Sequence, residues 1–169
     1  IHPLRDAQTV QDIVCYPFPD LAVSERFNTM ADQIEAVHKA GYAAVAHCTP
    51  VGGTVFWPAY KLRGMEALLM DLVAEPALAA ALLDKVTEIS VALAARLASF
   101  DIDILWLADD FGTQRALIVR RDAWREWFKS RLRAVVDAAR AVNPQVLIAF
   151  HSDGKVDEII PDLIDIGID

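Results

Sequence analysis

The chain has 169 residues, 54% of them hydrophobic, and a formal net charge of −8, with a sequence pI near 4.9. This length suits one domain with a sizeable core, and the acidic surface repels phosphate backbones, which argues against nucleic acid as a partner. No apolar run approaches the roughly 20 residues of a membrane span, the opening Ile1-His2-Pro3-Leu4-Arg5-Asp6 lacks the regions of a signal peptide, and Cys15 and Cys48 make no disulfide framework, so a cytoplasmic setting is expected.

Residues 1–23 read as irregular connection, with Pro17, Phe18, Pro19 and Asp20 as turn formers. Ser24 is placed to cap a helix carrying Phe27, Met30, Ile34 and Val37 on one stripe, and Gly41 ends it in the C′ role. Tyr42 to His47 is short and apolar, a buried strand, and a loop with Pro50, Gly52, Gly53 and Pro58 follows. Residues 65–73 form a short helix. Pro76 then opens a long one from the N1 position, with Leu78, Leu82, Val86, Ile89, Leu93 and Leu97 at helical spacing. Asp103 to Leu107 is the second strand. Asp122 can cap the next helix, whose buried stripe is Trp124, Phe128, Leu132, Val135, Ala139 and Val142, and Asn143-Pro144 stops it. Val146 to Phe150 is the third strand. A helix over about 156–166, broken or restarted at Pro161, leads to Ile166-Gly167-Ile168-Asp169, where a new strand begins.

Helices and strands alternate throughout, and no repeat or composition shift marks a second domain. Such alternation argues for an α/β fold with parallel strands joined by helical crossovers. Three strands cannot close a (β/α)8 barrel, which takes about 250 residues, so a partial barrel over residues 1–169 competes with a small open sheet. The absent initial Met and the strand beginning at the other end lead us to expect a segment of a longer protein.

The second and third strands break off into polar loops, and loops past the carboxyl ends of parallel strands are where α/β enzymes keep their chemistry. His151 and Asp153 lie on the same side of an extended chain. They could share a divalent metal or act as an acid–base pair; alternatively, His151 closes the strand end and Asp153 caps the next helix. Asp109 and Asp110 face opposite ways, so one alone can aim at a shared rim. Buried together they would raise one another's pKa, which suits proton transfer; the bland alternative is one solvated Asp and one that caps a loop. Gln114 and Arg115 could grip a polar or anionic substrate, although Arg115 could equally be a surface charge. Trp57 and Tyr60 could wall a pocket, with Lys61 and Arg63 following. Gly52-Gly53 carries no phosphate-loop pattern. Of His47 and Cys48 at most one points inward, and Cys48 reads as a small buried residue.

Four stretches together resemble the uroporphyrinogen decarboxylase superfamily: Tyr60-Lys-Leu-Arg-Gly64-Met-Glu-Ala-Leu-Leu-Met-Asp71, Leu107-Ala-Asp-Asp-Phe-Gly112-Thr-Gln114, His151-Ser-Asp-Gly154 and Ile160-Pro-Asp-Leu-Ile-Asp-Ile-Gly-Ile-Asp169. The resemblance implies a (β/α)8 TIM barrel with its active site at the carboxyl ends of the strands, this chain being a central fragment with about three strands. One branch of the family removes acetate carboxylates from a tetrapyrrole, in heme biosynthesis, without cofactor. There an active-site Tyr falls on Tyr60. The other branch holds corrinoid-linked methyltransferases, in which a His-x-Cys pair and a later Cys bind zinc that activates a thiol. His151 matches that His, Asp153 stands at the Cys position, and the later Cys would lie beyond Asp169.

The expectation is therefore a barrel enzyme closer to the methyltransferase branch. His151 and Asp153 would be its metal ligands or acid–base pair, with zinc the implied ion. Asp109 or Asp110 would move protons or orient substrate, Tyr60 would line the pocket, and Gln114, Arg115, Arg63 and Trp57 would bind substrate. A small molecule, a corrinoid protein and a second copy of the chain are the candidate partners. Tetrapyrrole decarboxylation is the runner-up, with Arg63, Arg115, Arg120 and Arg121 as the nearby basic supply. A non-catalytic barrel relic, in which His151 and Asp153 point apart, is the third reading.

Overall fold

Three short strands, β1 (Val45–His47), β2 (Ile104–Ala108) and β3 (Leu147–His151), form one sheet in the order β1-β2-β3 with both pairings parallel. The computed structural model describes residues 2–169, the side chain of Ser24 excepted, so the capping role expected of Ser24 lies outside the described residues. The register sets Val45 beside Ile104 beside Leu147, His47 beside Trp106 beside Ala149, and Ala108 beside His151.

Side chains alternate across a strand, and the two faces of this sheet differ. Ala46, Leu105, Leu107 and Ile148 are buried against Ile34 of helix α2 (Met30–Lys39), Leu93, Ala94 and Leu97 of α5 (Pro76–Ala98), and Val135, Val136 and Ala139 of α7 (Ser130–Val142). The opposite face carries Val45, His47, Trp106, Leu147 and His151, and among the described residues no helix covers it; Val45 and Leu147 are about half exposed. Beyond β3 the chain passes through α8 (Ile160–Asp165) and returns to the sheet, the Asp169 N–H donating to the Ile148 carbonyl at 3.0 Å, but among the described residues the strand expected from Ile166 does not form.

Helix boundaries depart from expectation in four places. A short helix, α1 (Val10–Val14), interrupts the supposed irregular stretch; Thr9 and Asp12 close a reciprocal capping box at its start. The loop after β1 turns directly into α3 (Phe56–Arg63), which α4 (Met65–Ala74) follows across Gly64. The helix expected from Ser24 begins only at Met30, after a single 3-10 turn over Ser24–Phe27. Asp122 is not the cap expected of it: Arg120 occupies the N-cap of α6 (Arg121–Trp124), and Asp122 sits in the first turn. A π-helical turn over Arg125–Lys129 joins α6 to α7, and Asp162 of α8 accepts from Arg121 at 3.0 Å, Arg125 at 3.0 Å and Lys129 at 2.7 Å. Lys129 foremost, with the two guanidinium groups, holds this carboxyl well below the usual carboxylate range.

A second core, largely aliphatic but with a cluster of aromatic rings within it, includes residues of the loops that follow the strands. Phe56, Phe111 and Phe128 meet with ring centroids 5.2–5.3 Å apart, and Trp124 stands edge-on to Phe111 at 5.7 Å. All four are fully buried. Such pairs add about 0.5–1.5 kcal/mol beyond the area they bury, so the loops above them rest on a firm base. Among the described residues the buried Trp124 indole N–H has no hydrogen-bond acceptor.

Candidate active site

The loops after the three strands are stitched into one rim. Thr54, in the first loop, donates its hydroxyl to the Cys48 carbonyl at 3.1 Å and accepts the Ala108 N–H at 3.0 Å. Its own N–H reaches the Ala108 carbonyl at 2.7 Å. The second and third loops meet glycine to glycine: a Cβ on Gly112 would lie 2.6 Å from the Lys155 nitrogen, and one on Gly154 would overlap the Gly112 carbonyl group. The Lys155 N–H donates to the Thr113 carbonyl at 2.7 Å, and Ser152 Oγ accepts the Phe111 N–H at 3.0 Å.

Asp109 and Asp110 leave β2 in opposite directions. Asp109 is buried, and its two carboxylate oxygens accept the N–H groups of Val55 and Trp57, each at 2.8 Å, where α3 begins. Burial pushes its pKa up to about 7, against the pull of those donors. The side chain holds the first loop and does not reach the rim surface. Asp110 turns the other way, and its Oδ1 accepts the Asp153 N–H at 2.8 Å.

At the end of β3, His151 Nε2 lies 3.5 Å from Asp153 Oδ1 and 3.8 Å from Asp110 Oδ1. One ligand atom from each of Asp110, His151 and Asp153 falls within 4.8 Å of the others. The relic reading required His151 and Asp153 to diverge; instead they converge. Two donors bound to one zinc at about 2.0–2.2 Å lie roughly 3–3.5 Å apart, so a small inward movement would bring these three onto one ion. The set is one imidazole nitrogen and two carboxylates, which suits a divalent cation; it contains no thiolate. A carboxylate that accepts one N–H keeps lone pairs for a metal, so the bond from Asp153 N–H to Asp110 does not exclude this.

Tyr60, on α3, completes the rim. Partial burial and then the charge of Asp110 raise its pKa, so the phenol holds its proton next to a carboxylate. Trp57 packs edge-on against Tyr60 at 4.9 Å, and Lys61 Nζ stands 5.0 Å above the Trp57 ring. Gln114 and Arg115 are exposed on a turn where Thr113 Oγ1 accepts the N–H groups of Arg115 and Ala116.

Arg63 is the clear correction among the expected substrate-binding residues. It is 7% exposed, pairs with Asp71 at 2.7 Å, and donates to the carbonyls of Leu4, Arg5 and Ala7 at 2.7–2.8 Å. Every direction of its guanidinium is used inside the protein. Arg121 is likewise engaged, by Asp162. Cys48 is fully buried, and burial pushes its thiol up to about 12. His47, which the sequence reading paired with Cys48 but gave no role, is the one of the two on the open face. With Cys48 turned toward the helices, His47 occupies the uncovered face and stacks on Trp106 at 5.7 Å. Alternation could have told these neighbours apart, but the pairing with Trp106 depends on strand register.

A cleft of about 710 Å³ lies between residues 3 and 17 and includes Asp12, Cys15 and Tyr16 but none of the rim residues. Here the convergence of donors, and not concavity, marks the chemistry.

Residues 2–169 match the uroporphyrinogen decarboxylase (URO-D) family, which is nearly the whole chain. The chain belongs to that family. Its three parallel strands and their helices are thus one arc of the family's (β/α)8 barrel, and the rim lies where URO-D barrels carry their active sites. Among solved structures, this URO-D chain is similar to a methyltransferase from Methanosarcina mazei, with a TM-score of 0.65 and 20% identity. The alignment covers 85% of this chain and 40% of that one, so the chain spans less than half of its structural relative. At this identity the likeness speaks for the fold. No curated protein matches the chain by sequence. Among the described residues no helix is long and apolar enough to cross a membrane.

Proposed function

We propose that this chain carries the active-site rim of a URO-D-family methyltransferase, with Asp110, His151 and Asp153 as the ligands of a divalent cation, zinc first among the candidates. The convergence of those three side chains from the ends of β2 and β3 carries the reading. The methyltransferase description of the structural relative points the same way. A bound zinc would supply Lewis acidity, holding the acceptor close and lowering its pKa.

The protein's own groups have separable tasks in this scheme. His151 and Asp153 ligate, and Asp110 ligates while fixing Asp153 through its backbone N–H. Tyr60 keeps its proton and offers the phenol O–H as a donor toward substrate. Trp57 and Tyr60 wall the approach. A methylated corrinoid brought by a partner protein would supply the methyl group and keep the electron pair of the broken bond; Asp110, His151 and Asp153 would hold the cation beside the thiol acceptor, whose proton would leave to solvent at the exposed rim.

Cofactor-free tetrapyrrole decarboxylation fits less well. A substrate with many carboxylates demands a basic pocket, and Arg63 and Arg121 are committed to Asp71 and Asp162. Calorimetric titration of the metal-free chain with zinc, beside His151→Ala and Asp110→Asn, tests the site. The reading expects near-stoichiometric binding that His151→Ala abolishes. Equal zinc retention by that variant refutes the assignment. Methylcobalamin with 2-mercaptoethanol, followed by cobalamin absorbance, tests the reaction in the whole protein.

A further inference from the structure

Metal-bound histidines are ordinarily held in one orientation by a hydrogen bond from the second ring nitrogen to a carboxylate, carbonyl or water. His151 is different. Among the described residues its ring makes no hydrogen bond; its nearest acceptors, at 3.5 and 3.8 Å from Nε2, lie beyond good bonding distance. The side chain is 45% exposed, so packing alone does not fix it either.

What the ring does have is a stack. Trp106 lies 6.1 Å from His151 between centroids, with planes 23° apart, and on its other side His47 lies 5.7 Å away with planes 27° apart. The three rings form a ladder across β1, β2 and β3 on the face that, among the described residues, no helix covers. His47 and Trp106 are register partners, and His151 sits higher on β3, beside Ala108. Trp106's own partner on β3 is Ala149. Methyl side chains at Ala108 and Ala149 leave the diagonal between Trp106 and His151 open, so the indole can lean across to the imidazole.

We infer that Trp106 is the positioning residue for His151, with His47 bracing the indole from behind, so that stacking replaces the missing hydrogen bond. The indole face is electron-rich and favours a neighbouring ring that carries positive charge. An imidazole polarised by a cation at Nε2 is such a ring, so the stack tightens when the site is filled. The metal arm of this inference rests on the reading of Asp110, His151 and Asp153 as ligands; the orientation of His151 does not.

The test uses the full chain as Trp106→Leu, Trp106→Phe and His47→Leu variants, with two readouts. In the metal-free protein, the ring current of Trp106 displaces the His151 ring-proton resonances from their ordinary position. Trp106→Leu returns them there, while Trp106→Phe and His47→Leu keep most of the displacement. In zinc titrations Trp106→Leu weakens binding about 10–100-fold, the usual effect of losing an outer support, and Trp106→Phe restores most of it. Unchanged His151 resonances in Trp106→Leu overturn the inference, as does unchanged zinc affinity in that variant when the wild type binds zinc. Failure of the wild type to bind zinc at all refutes the metal reading instead, and the resonance comparison still decides whether Trp106 orients His151.

Discussion

Replacing Gly154 with alanine tests whether the rim is built by contact between its second and third loops. Two penalties coincide at this position. The backbone φ is +79°, in the left-handed region, where a non-glycine residue costs about 1–2 kcal/mol. The added Cβ also overlaps the Gly112 carbonyl group and lies 2.8 Å from the Thr113 carbonyl oxygen. Those are backbone atoms that cannot rotate away, and forcing a methyl into a packed place costs about 1–3 kcal/mol. The sum, about 2–5 kcal/mol, is a large fraction of ordinary domain stability. For a domain of this size it lowers Tm by roughly 4–20 °C. Two controls separate the terms. Gly41 has nearly the same φ, +82°, and an added methyl there would meet nothing within 4 Å, so Gly41→Ala reports conformational strain alone. Gly112→Ala reports the contact alone, its Cβ lying 2.6 Å from the Lys155 nitrogen and 2.8 Å from the Asp153 carbonyl oxygen. Urea and thermal unfolding of the three variants, with zinc titration of those that fold, give the comparison. If Gly154→Ala costs no more than Gly41→Ala, the loops do not touch as described, and the placement of Asp153 beside Asp110 falls with them.

Asp109 gives the fold a pH dependence of definite sign. Its folded pKa, about 7, lies above the unfolded value, so its contribution is fully present below pH of about 4 and is lost as pH rises through 7. Unfolding free energies measured from pH 4 to 8 should carry that falling component, and Asp109→Asn should remove it; an unchanged slope contradicts the burial of this carboxyl. Arg63→Leu leaves Asp71 unpaired in the interior and frees three carbonyls of the N-terminal turn, a loss of about 3–5 kcal/mol. Hydrogen exchange at Leu4 and Ala7 should speed up, whereas retained stability would return Arg63 to the candidate substrate groups. Cys15 should react with a thiol reagent in the native protein while Cys48 waits for unfolding, because one is exposed and the other is buried with a raised pKa; equal rates would refute that contrast.

The fold was largely legible because its signals are local. Pro76 and the spacing of Leu78, Leu82, Val86, Leu93 and Leu97 specify α5, and the apolar runs at residues 103–107 and 146–150 mark two strands, which the structure sets one residue later, at Ile104–Ala108 and Leu147–His151. Two of the misses share one cause. Val10–Val14 and Phe56–Arg63 are short, and their apolar residues show no clean stripe. The second of these starts where a carboxylate from 52 residues away receives the Trp57 N–H. The rim followed the same division. Period-two alternation was enough to pair His151 with Asp153 and to split Asp109 from Asp110. It could not say which Asp faced inward, because burial under the first loop decides that. Nor could it say that Arg63 was spent on the N-terminal turn, or that His47 would meet Trp106, since both depend on how distant segments pack.

The dipeptide Asp109-Asp110 shows how one strand end can serve both scaffold and chemistry. Adjacent residues on an extended chain project to opposite sides. At the end of the central strand, those sides lead to the first loop and to the third. Asp109 takes the first loop by accepting two N–H groups at the start of α3, the helix that carries Trp57 and Tyr60. Asp110 takes the third by accepting the N–H of Asp153. Tyr60 and Asp153 therefore owe their places on the rim to neighbouring carboxylates that differ sharply in surroundings. Asp109 lies under protein, where ionisation is costly. Asp110 lies nearer the surface, where it can ligate a cation and hold the Tyr60 proton in place. Exchanging their surroundings by a one-residue insertion after Ala108 would put a buried acid at the rim and leave the first loop unheld, so the order of the two residues matters as much as their identity.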